Sequence, residues 1–218
     1  MKIKKVYLGR RQIYPDWEWE PGENTVFYIK WEWDIKDYWP NNYQFTNNLV
    51  TITDDYLNFP GTSKNRLINT TASIPQTYTF NARLYITWVW TSISPRIIAP
   101  NSNDSAVATY RWSWWTLYTV SYNNRAYNWP VLPTNTWINF VVTRVQWGQS
   151  KIYVNAVNSD TETSASINYG TWIVLWCKYA SDRDSYQGRM ARIILENKEW
   201  TAQEVADYFD QTKSKYWL

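Results

Sequence analysis

Tyr110, Tyr118, Tyr122 and Tyr127 fall close together in a stretch that also supplies Asn, Ser and Arg. A phenol ring offers a flat apolar face with a hydroxyl at its rim. Beside amide and carboxylate groups, that is the surface a saccharide or another protein takes. Tyr110, Tyr118 and Tyr122 are therefore candidate ligand contacts. Tyr is equally an ordinary strand residue, so the assignment depends on the rings sharing one face or rim. Composition removes other chemistries. The chain has no His and one cysteine, Cys177, which excludes His-based triads, proton shuttles and metal sites, Cys-rich zinc sites and an intrachain disulfide. A net charge of +3 with dispersed Lys and Arg lacks the basic patch of a nucleic-acid binder, so no nucleic-acid partner is expected. No run approaches the roughly 18 apolar residues of a membrane span, and no membrane insertion is expected. The N-terminal MKIKKVYLGRRQIYP lacks the apolar core of a secretory signal, so none is expected there.

These side chains need a scaffold, and the pattern is that of strands. Ile138 to Val145 and Lys151 to Val154 are β-branched and aromatic runs flanking a short polar loop with Gly148, the signature of a hairpin. Thr25 to Lys30, Thr77 to Trp88, Ile93 to Ala99, Ala106 to Tyr110, Trp115 to Tyr122, Thr171 to Cys177 and Tyr186 to Leu195 read as further strands between Asn, Asp, Ser and Pro clusters. Tyr78, Phe80 and Leu84 are core candidates. Many short strands in 218 residues imply one large β-sandwich. Near the C-terminus, Thr201-x-x-Glu204 is a capping box. It predicts a helix from about Ala202 to Lys213 with an apolar stripe of Val205, Tyr208 and Phe209.

The hairpin resembles a known one. Trp137, Val141 and Thr143 followed by Lys151, Ile152, Tyr153, Val154 and Asn155 are similar to the central hairpin of LamG-like jelly rolls in the concanavalin A-like lectin and glucanase superfamily. Ala156 stands where that family usually has Gly. Asp54 to Gly61 resembles the strand that opens many such domains, and Tyr186 to Val205 resembles their terminal strand and helix. The resemblance covers residues 37 to 213. It implies an all-β, two-sheet antiparallel β-sandwich (jelly roll) with a short C-terminal helix over residues 37–218, and a β-prone N-terminal extension and linker over 1–36. It also implies a non-catalytic recognition or adhesion module for glycans or a surface protein, on a cell surface or virion. The alternatives are a virion or surface protein that uses the sandwich for assembly, and a glycoside hydrolase. The opening residues resemble a leader of some phage tail and virion-associated proteins.

Three site expectations follow from the resemblance. Part of the LamG family holds calcium at the sandwich rim with Asp and Asn oxygens, as a hard cation requires; Asn103 with Asp104 and Asp182 with Asp184 are the candidates here, although ordinary turns explain them too. Asn155 occupies a family position and is a candidate ligand contact or a turn residue. Superfamily glucanases carry paired carboxylates on one strand, and glycosidases need two of them facing one sugar. Glu32, Asp34 and Asp37 are compared on that basis, but they lie at the N-terminal edge without a recognisable cleft, and no catalysis is expected.

Seventeen Trp against six Gly is an inversion of ordinary usage, and a many-turned β-protein needs more Gly than this. Trp129 and Trp147 stand where turn chemistry calls for Gly. The pattern suggests UGA codons from a source that reads UGA as glycine, translated here as Trp. Fourteen positions fit such recoding: Trp17, Trp19, Trp31, Trp33, Trp39, Trp88, Trp90, Trp112, Trp114, Trp129, Trp147, Trp172, Trp176 and Trp217. They are expected to be exposed, several of them in turns and some at positive φ. Trp115, Trp137 and Trp200 are expected to be largely buried. A Trp-rich carbohydrate-stacking surface is the alternative.

Overall fold

The computed structural model describes residues 7–8, 11–12, 22–29, 41, 43–53, 56–61, 66–87, 96–99, 108–113, 116–119, 132–163, 171–175 and 187–216. Their strands are β1 (Tyr7–Leu8), β2 (Arg11–Gln12), β3 (Thr25–Ile29), β4 (Thr46–Asn48), β5 (Thr51–Ile52), β6 (Leu57–Pro60), β7 (Arg66–Ser73) and β8 (Tyr78–Ile86). They continue with β9 (Arg96–Ala99), β10 (Ala108–Ser113), β11 (Thr116–Thr119), β12 (Trp137–Arg144), β13 (Gln149–Val154), β14 (Val157–Thr163), β15 (Thr171–Leu175) and β16 (Gln187–Glu196). A helix, α1 (Ala202–Thr212), is followed by a 3-10 turn, Lys213–Tyr216.

The strands form an antiparallel β-sandwich. The larger sheet runs β14-β13-β12-β8-β16-β6-β5, with β3 also paired to β16; the smaller runs β11-β10-β9-β15-β7-β4; β1 and β2 pair with each other. Between the sheets lies one apolar cluster, to which the larger sheet contributes Phe27, Leu57, Phe80, Leu84, Ile138, Phe140 and Leu195 and the smaller Leu67, Ile97, Ile98, Ile173 and Leu175. Burying such side chains stabilises by about 1.5–3 kcal/mol each. β3 falls in the segment 1–36 expected to be an extension, yet it hydrogen-bonds along β16 and sends Phe27 and Ile29 into this core.

The expected core residues Tyr78, Phe80 and Leu84 are buried. β8 shows no burial alternation, because it is covered on both faces. Its even-numbered residues face the smaller sheet. Thr79, Asn81 and Arg83 point the other way, to the outer face, and are buried there as well. What buries them is α1. Val205, Tyr208 and Trp200 pack on Tyr28, Val141, Tyr153 and Ile194 of the outer face as a second apolar cluster. The capping box forms as expected, with the Glu204 amide donating to Thr201 Oγ1 at 3.1 Å and the Thr201 amide donating to Glu204 Oε2 at 2.7 Å.

β16 carries a bulge. Arg189 and Ala191 pair with Tyr85 and Arg83, but Ile194 and Glu196 pair with Asn81 and Thr79, so one residue is extra on β16. Arg192 sits in it at φ 48. Across the bulge, β16 changes its other neighbour from β6 to β3.

Several turns among the described residues place non-glycine residues in left-handed backbone, two of them hairpins of the larger sheet. Val154 and Val157 pair across Asn155 and Ala156, which have φ 51 and φ 65; two central residues at positive φ make a type I′ hairpin, the turn that prefers Asn-Gly. Between β12 and β13, the Gly148 amide donates to the Val145 carbonyl at 3.1 Å, closing a turn with Trp147 at its second central position. Trp147 has φ 61 and is 72% exposed. A turn with positive φ there calls for Gly or Asn. Gly148, one residue later, admits no side chain either, since a Cβ would lie 2.9 Å from Val145 Cβ. Trp200 is 2% exposed, as expected. Trp137 is half-buried rather than largely buried, because it stands at the end of β12 beyond the cover of α1. Trp112 and Trp172 lie in strands rather than turns. Trp17, Trp19, Trp31, Trp33, Trp39, Trp88, Trp90, Trp114, Trp115, Trp129, Trp176 and Trp217 lie outside the described residues.

Candidate functional site

The register of the larger sheet sets a row of side chains across five adjacent strands. Trp137 opposes Tyr85, Tyr85 opposes Arg189, Arg189 opposes Asn58, and Asn58 opposes Thr51. Directly opposed residues share a face. The next row along the strands, Ile138, Leu84, Met190 and Leu57, belongs to the inter-sheet core. Successive residues alternate faces, so the Trp137-to-Thr51 row lies on the outer face. Trp137, Tyr85, Arg189 and Asn58 are half-buried there and Thr51 is exposed.

The aromatic members form a cluster that Tyr56, just before β6, completes. Tyr85 meets Trp137 edge-on with ring centroids 5.6 Å apart, and Tyr56 is tilted against Trp137 at 6.1 Å. The Arg189 guanidinium lies over both tyrosines, 4.8 Å from the Tyr56 centroid and 4.9 Å from that of Tyr85. Ring faces attract a cation in this way. The inner sides of Tyr56 and Trp137 rest against the core, which fixes the rings while leaving part of each at the surface. Chemically the row offers flat apolar area, an amide, a hydroxyl and a guanidinium on a rigid sheet.

Beyond Asn139 and Arg83 the same face passes under α1 and several of its polar groups bond internally. Arg83 donates to Thr212 Oγ1 and lies near the Tyr208 and Phe209 rings. Thr79 donates to the Lys198 carbonyl and accepts from the Trp200 amide, both at 2.8 Å. Glu196 accepts from Thr25 and from the Trp200 indole. A cleft of about 240 Å³ opens beside these groups, lined by Glu196, Lys198, Glu204 and Asp207 among others. Lys198 bonds Glu204 across it at 2.8 Å. That bond and the neighbouring carboxylates hold the Lys198 pKa above its ordinary value. Partial burial opposes ionisation of Glu204, but the bonds from Lys198 and Thr201 outweigh it and depress its pKa. Nearby, the hydrogen bond to Glu199 raises Lys151, and burial raises the Tyr153 phenol.

Of the residues singled out from sequence, Tyr110, Tyr118 and Asn155 fall elsewhere. Tyr110 and Tyr118 lie on β10 and β11 of the smaller sheet, one register step apart, with Tyr110 opposing Thr119 and Tyr118 opposing Arg111. Asn155 is in the type I′ turn, where its Oδ1 accepts from the Asn139 amide at 2.8 Å and its own amide donates to the Asn139 carbonyl at 2.9 Å; it ties the turn to β12. Tyr122, the calcium candidates Asn103, Asp104, Asp182 and Asp184, and the carboxylates Glu32, Asp34 and Asp37 lie outside the described residues. The row itself draws on separated segments of the chain. The signal for it in sequence is one aromatic or Arg at an outward position in each of three strands, which gains meaning only with the register.

No family model and no characterised protein sequence matches the chain. Solved structures do. The botulinum neurotoxin serotype D binding domain is similar with a TM-score of 0.68 at 11% identity, over 86% of this chain and 50% of that one. The binding domain of Paraclostridial Mosquitocidal Protein 1 gives 0.66 at 14%, over 85% and 52%. A structure of botulinum neurotoxin type C, described as dependent on two ganglioside molecules for cell entry, gives 0.63 at 17%, over 86% and 51%. The chain thus spans about half the length of these structures, and at such identities the likeness is one of fold.

Proposed function

We propose that this protein is a non-catalytic carbohydrate-recognition module whose binding surface is the row Trp137, Tyr85, Arg189 and Asn58 with Tyr56. The observation that carries this is a half-exposed aromatic cluster held rigid on a sheet and flanked by an amide and a guanidinium. Sugars present apolar C–H faces ringed by hydroxyls, and such a surface answers both. The similar structures support the class: they are binding domains, and one is described with gangliosides. Because the chain spans half of each, their ligands enter here as guidance to a class. The LamG-like jelly roll is the form of the sandwich we adopt, with residues 37–218 as its domain completed by β3, and with action at a cell or virion surface. Tyr110 and Tyr118, on β10 and β11, together with Tyr122 and the calcium candidates Asn103, Asp104, Asp182 and Asp184, remain a second proposed contact set, independent of the row.

Binding of the purified chain to immobilised glycans tests this. We expect retention of at least one glycan class, weakened roughly tenfold or more in Tyr56→Ala and in Trp137→Ala and unchanged in Val157→Ala, an exposed position outside both regions. Absence of glycan binding, or binding that both row variants leave unchanged, would overturn the assignment.

A further inference from the structure

Arg189 is placed differently from cations elsewhere in the fold. Lys151 meets Glu199, Lys198 meets Glu204 and Lys213 meets Asp210, each within 2.8 Å. Arg83, under the helix, spends a donor on Thr212. Arg189 meets two tyrosine rings and, among the described residues, no carboxylate. Stacking leaves a guanidinium's hydrogen-bonding edge unused. The ring faces attract its charge from above the plane, whereas its N–H donors lie in the plane. Asn58, opposite on β6, is an amide and does not neutralise a cation. The row therefore holds a half-buried positive charge, pinned in orientation by Tyr56 and Tyr85, with its planar fork of donors uncommitted to any anion among the described residues.

A planar fork of this kind is matched by a planar carboxylate, which accepts two parallel hydrogen bonds from it. The apolar neighbours raise the value of such a pair by lowering the local dielectric. Resting on the glycan assignment above, we infer that the row selects a sugar bearing a carboxylate, a uronic or sialic acid, with Arg189 as the specificity-determining residue and the Tyr56, Tyr85 and Trp137 rings as the platform for the ring carbons. Tyr56 and Tyr85 act on the acid indirectly, since they hold the guanidinium in place on the outer face. A neutral sugar would use the platform but leave the fork without its anion.

Isothermal titration of the full chain with oligogalacturonate and with sialyllactose, each beside its methyl ester, tests this. The ester keeps the sugar ring and removes the charge. We expect one acid to bind about tenfold or more tighter than its ester, the size of one charge-assisted contact. The gap should close in Arg189→Gln, and Arg189→Lys should not restore it, because an ammonium is a point charge without the fork. Melting curves check that both variants fold; if they do not, the acid-to-ester ratio of the unaltered protein decides alone. Equal binding of acid and ester would overturn the selection of carboxylate and leave the glycan assignment standing. Binding of none of the four would remove both.

Discussion

The outer face of the larger sheet has two regions built on the same strands. Under α1, β8 and β12 present Thr79, Asn81, Arg83, Asn139 and Thr143, all buried. Beyond the helix they present Tyr85 and Trp137, half-exposed. On these two strands the covered part of the face is mostly polar, with Val141 joining the apolar cluster beneath the helix, and the open part carries large rings, although polar residues are ordinarily the exposed ones. The difference is one of commitment. Buried donors and acceptors call for partners inside the protein: Arg83 finds Thr212, Thr79 finds Lys198 and Trp200, and Asn139 donates to Asn81, while Thr143 Oγ1 and Asn81 Nδ2 are left without one among the described residues. Rings held partly open on a rigid sheet keep area available for something outside.

The contrast can be broken from either side. Trp200→Ala should have the largest effect: it empties a 2%-exposed site beneath the helix and should cost about 3–5 kcal/mol in urea unfolding, without altering glycan affinity of the folded fraction. A cost below ~1 kcal/mol would show that the helix cover contributes little. Tyr56→Ala should do the opposite, weakening binding by roughly tenfold, about 1.4 kcal/mol, with a smaller change in stability.

Glu204→Ala should cost about 1 kcal/mol at neutral pH through the lost capping box. Because its folded pKa is depressed, the contribution of its charge is present above the unfolded value of about 4.3 and is lost as pH falls through the folded value. Acid titration should therefore bring the variant and the parent closer together. A gap that widens on acidification would contradict this sign.

The smallest effect is expected at Trp147. Relief of the left-handed conformation in Trp147→Gly should raise stability by about 0.5–1 kcal/mol. In the natural host we expect glycine there. Mass spectrometry of the tryptic peptide from Val145 to Lys151 reads this directly, and Trp in that peptide would end the recoding proposal for this position. Leu49 and Ala156 also sit at positive φ without being Gly, so the backbone angle alone does not decide it.

The strands with clean turn chemistry are legible in the sequence. The β12–β13 hairpin, the final strand and the capped helix lie within a residue or two of their expected positions. β7 is not, since RLINTTAS is too polar to read as a strand; its buried Asn69 accepts from the Thr71 and Ala72 amides and so adds local order that composition conceals. The register of β8 is unreadable for a different reason: with α1 on one face and the sandwich core on the other, the period of two vanishes. The candidate site is the hardest to see. Tyr56, Tyr85, Trp137 and Arg189 are far apart in the chain, and pairing alone brings them together. Clustering in sequence, the criterion that singles out Tyr110 to Tyr122, does not find such a row.

The bulge at Arg192 acts as a phase reset. On its N-terminal side, odd-numbered residues of β16 look outward; on its C-terminal side, even-numbered ones do. Straightening the ladder while keeping Arg192 would force one half of the strand to exchange its faces, driving either the guanidinium of Arg189 into the core or Ile193 and Leu195 out to the helix, whereas deleting Arg192 would leave both halves facing as they do. The outward-facing row and the core thus share a strand but keep separate frames. Variation in the open half can proceed without shifting the register of the half that carries the helix.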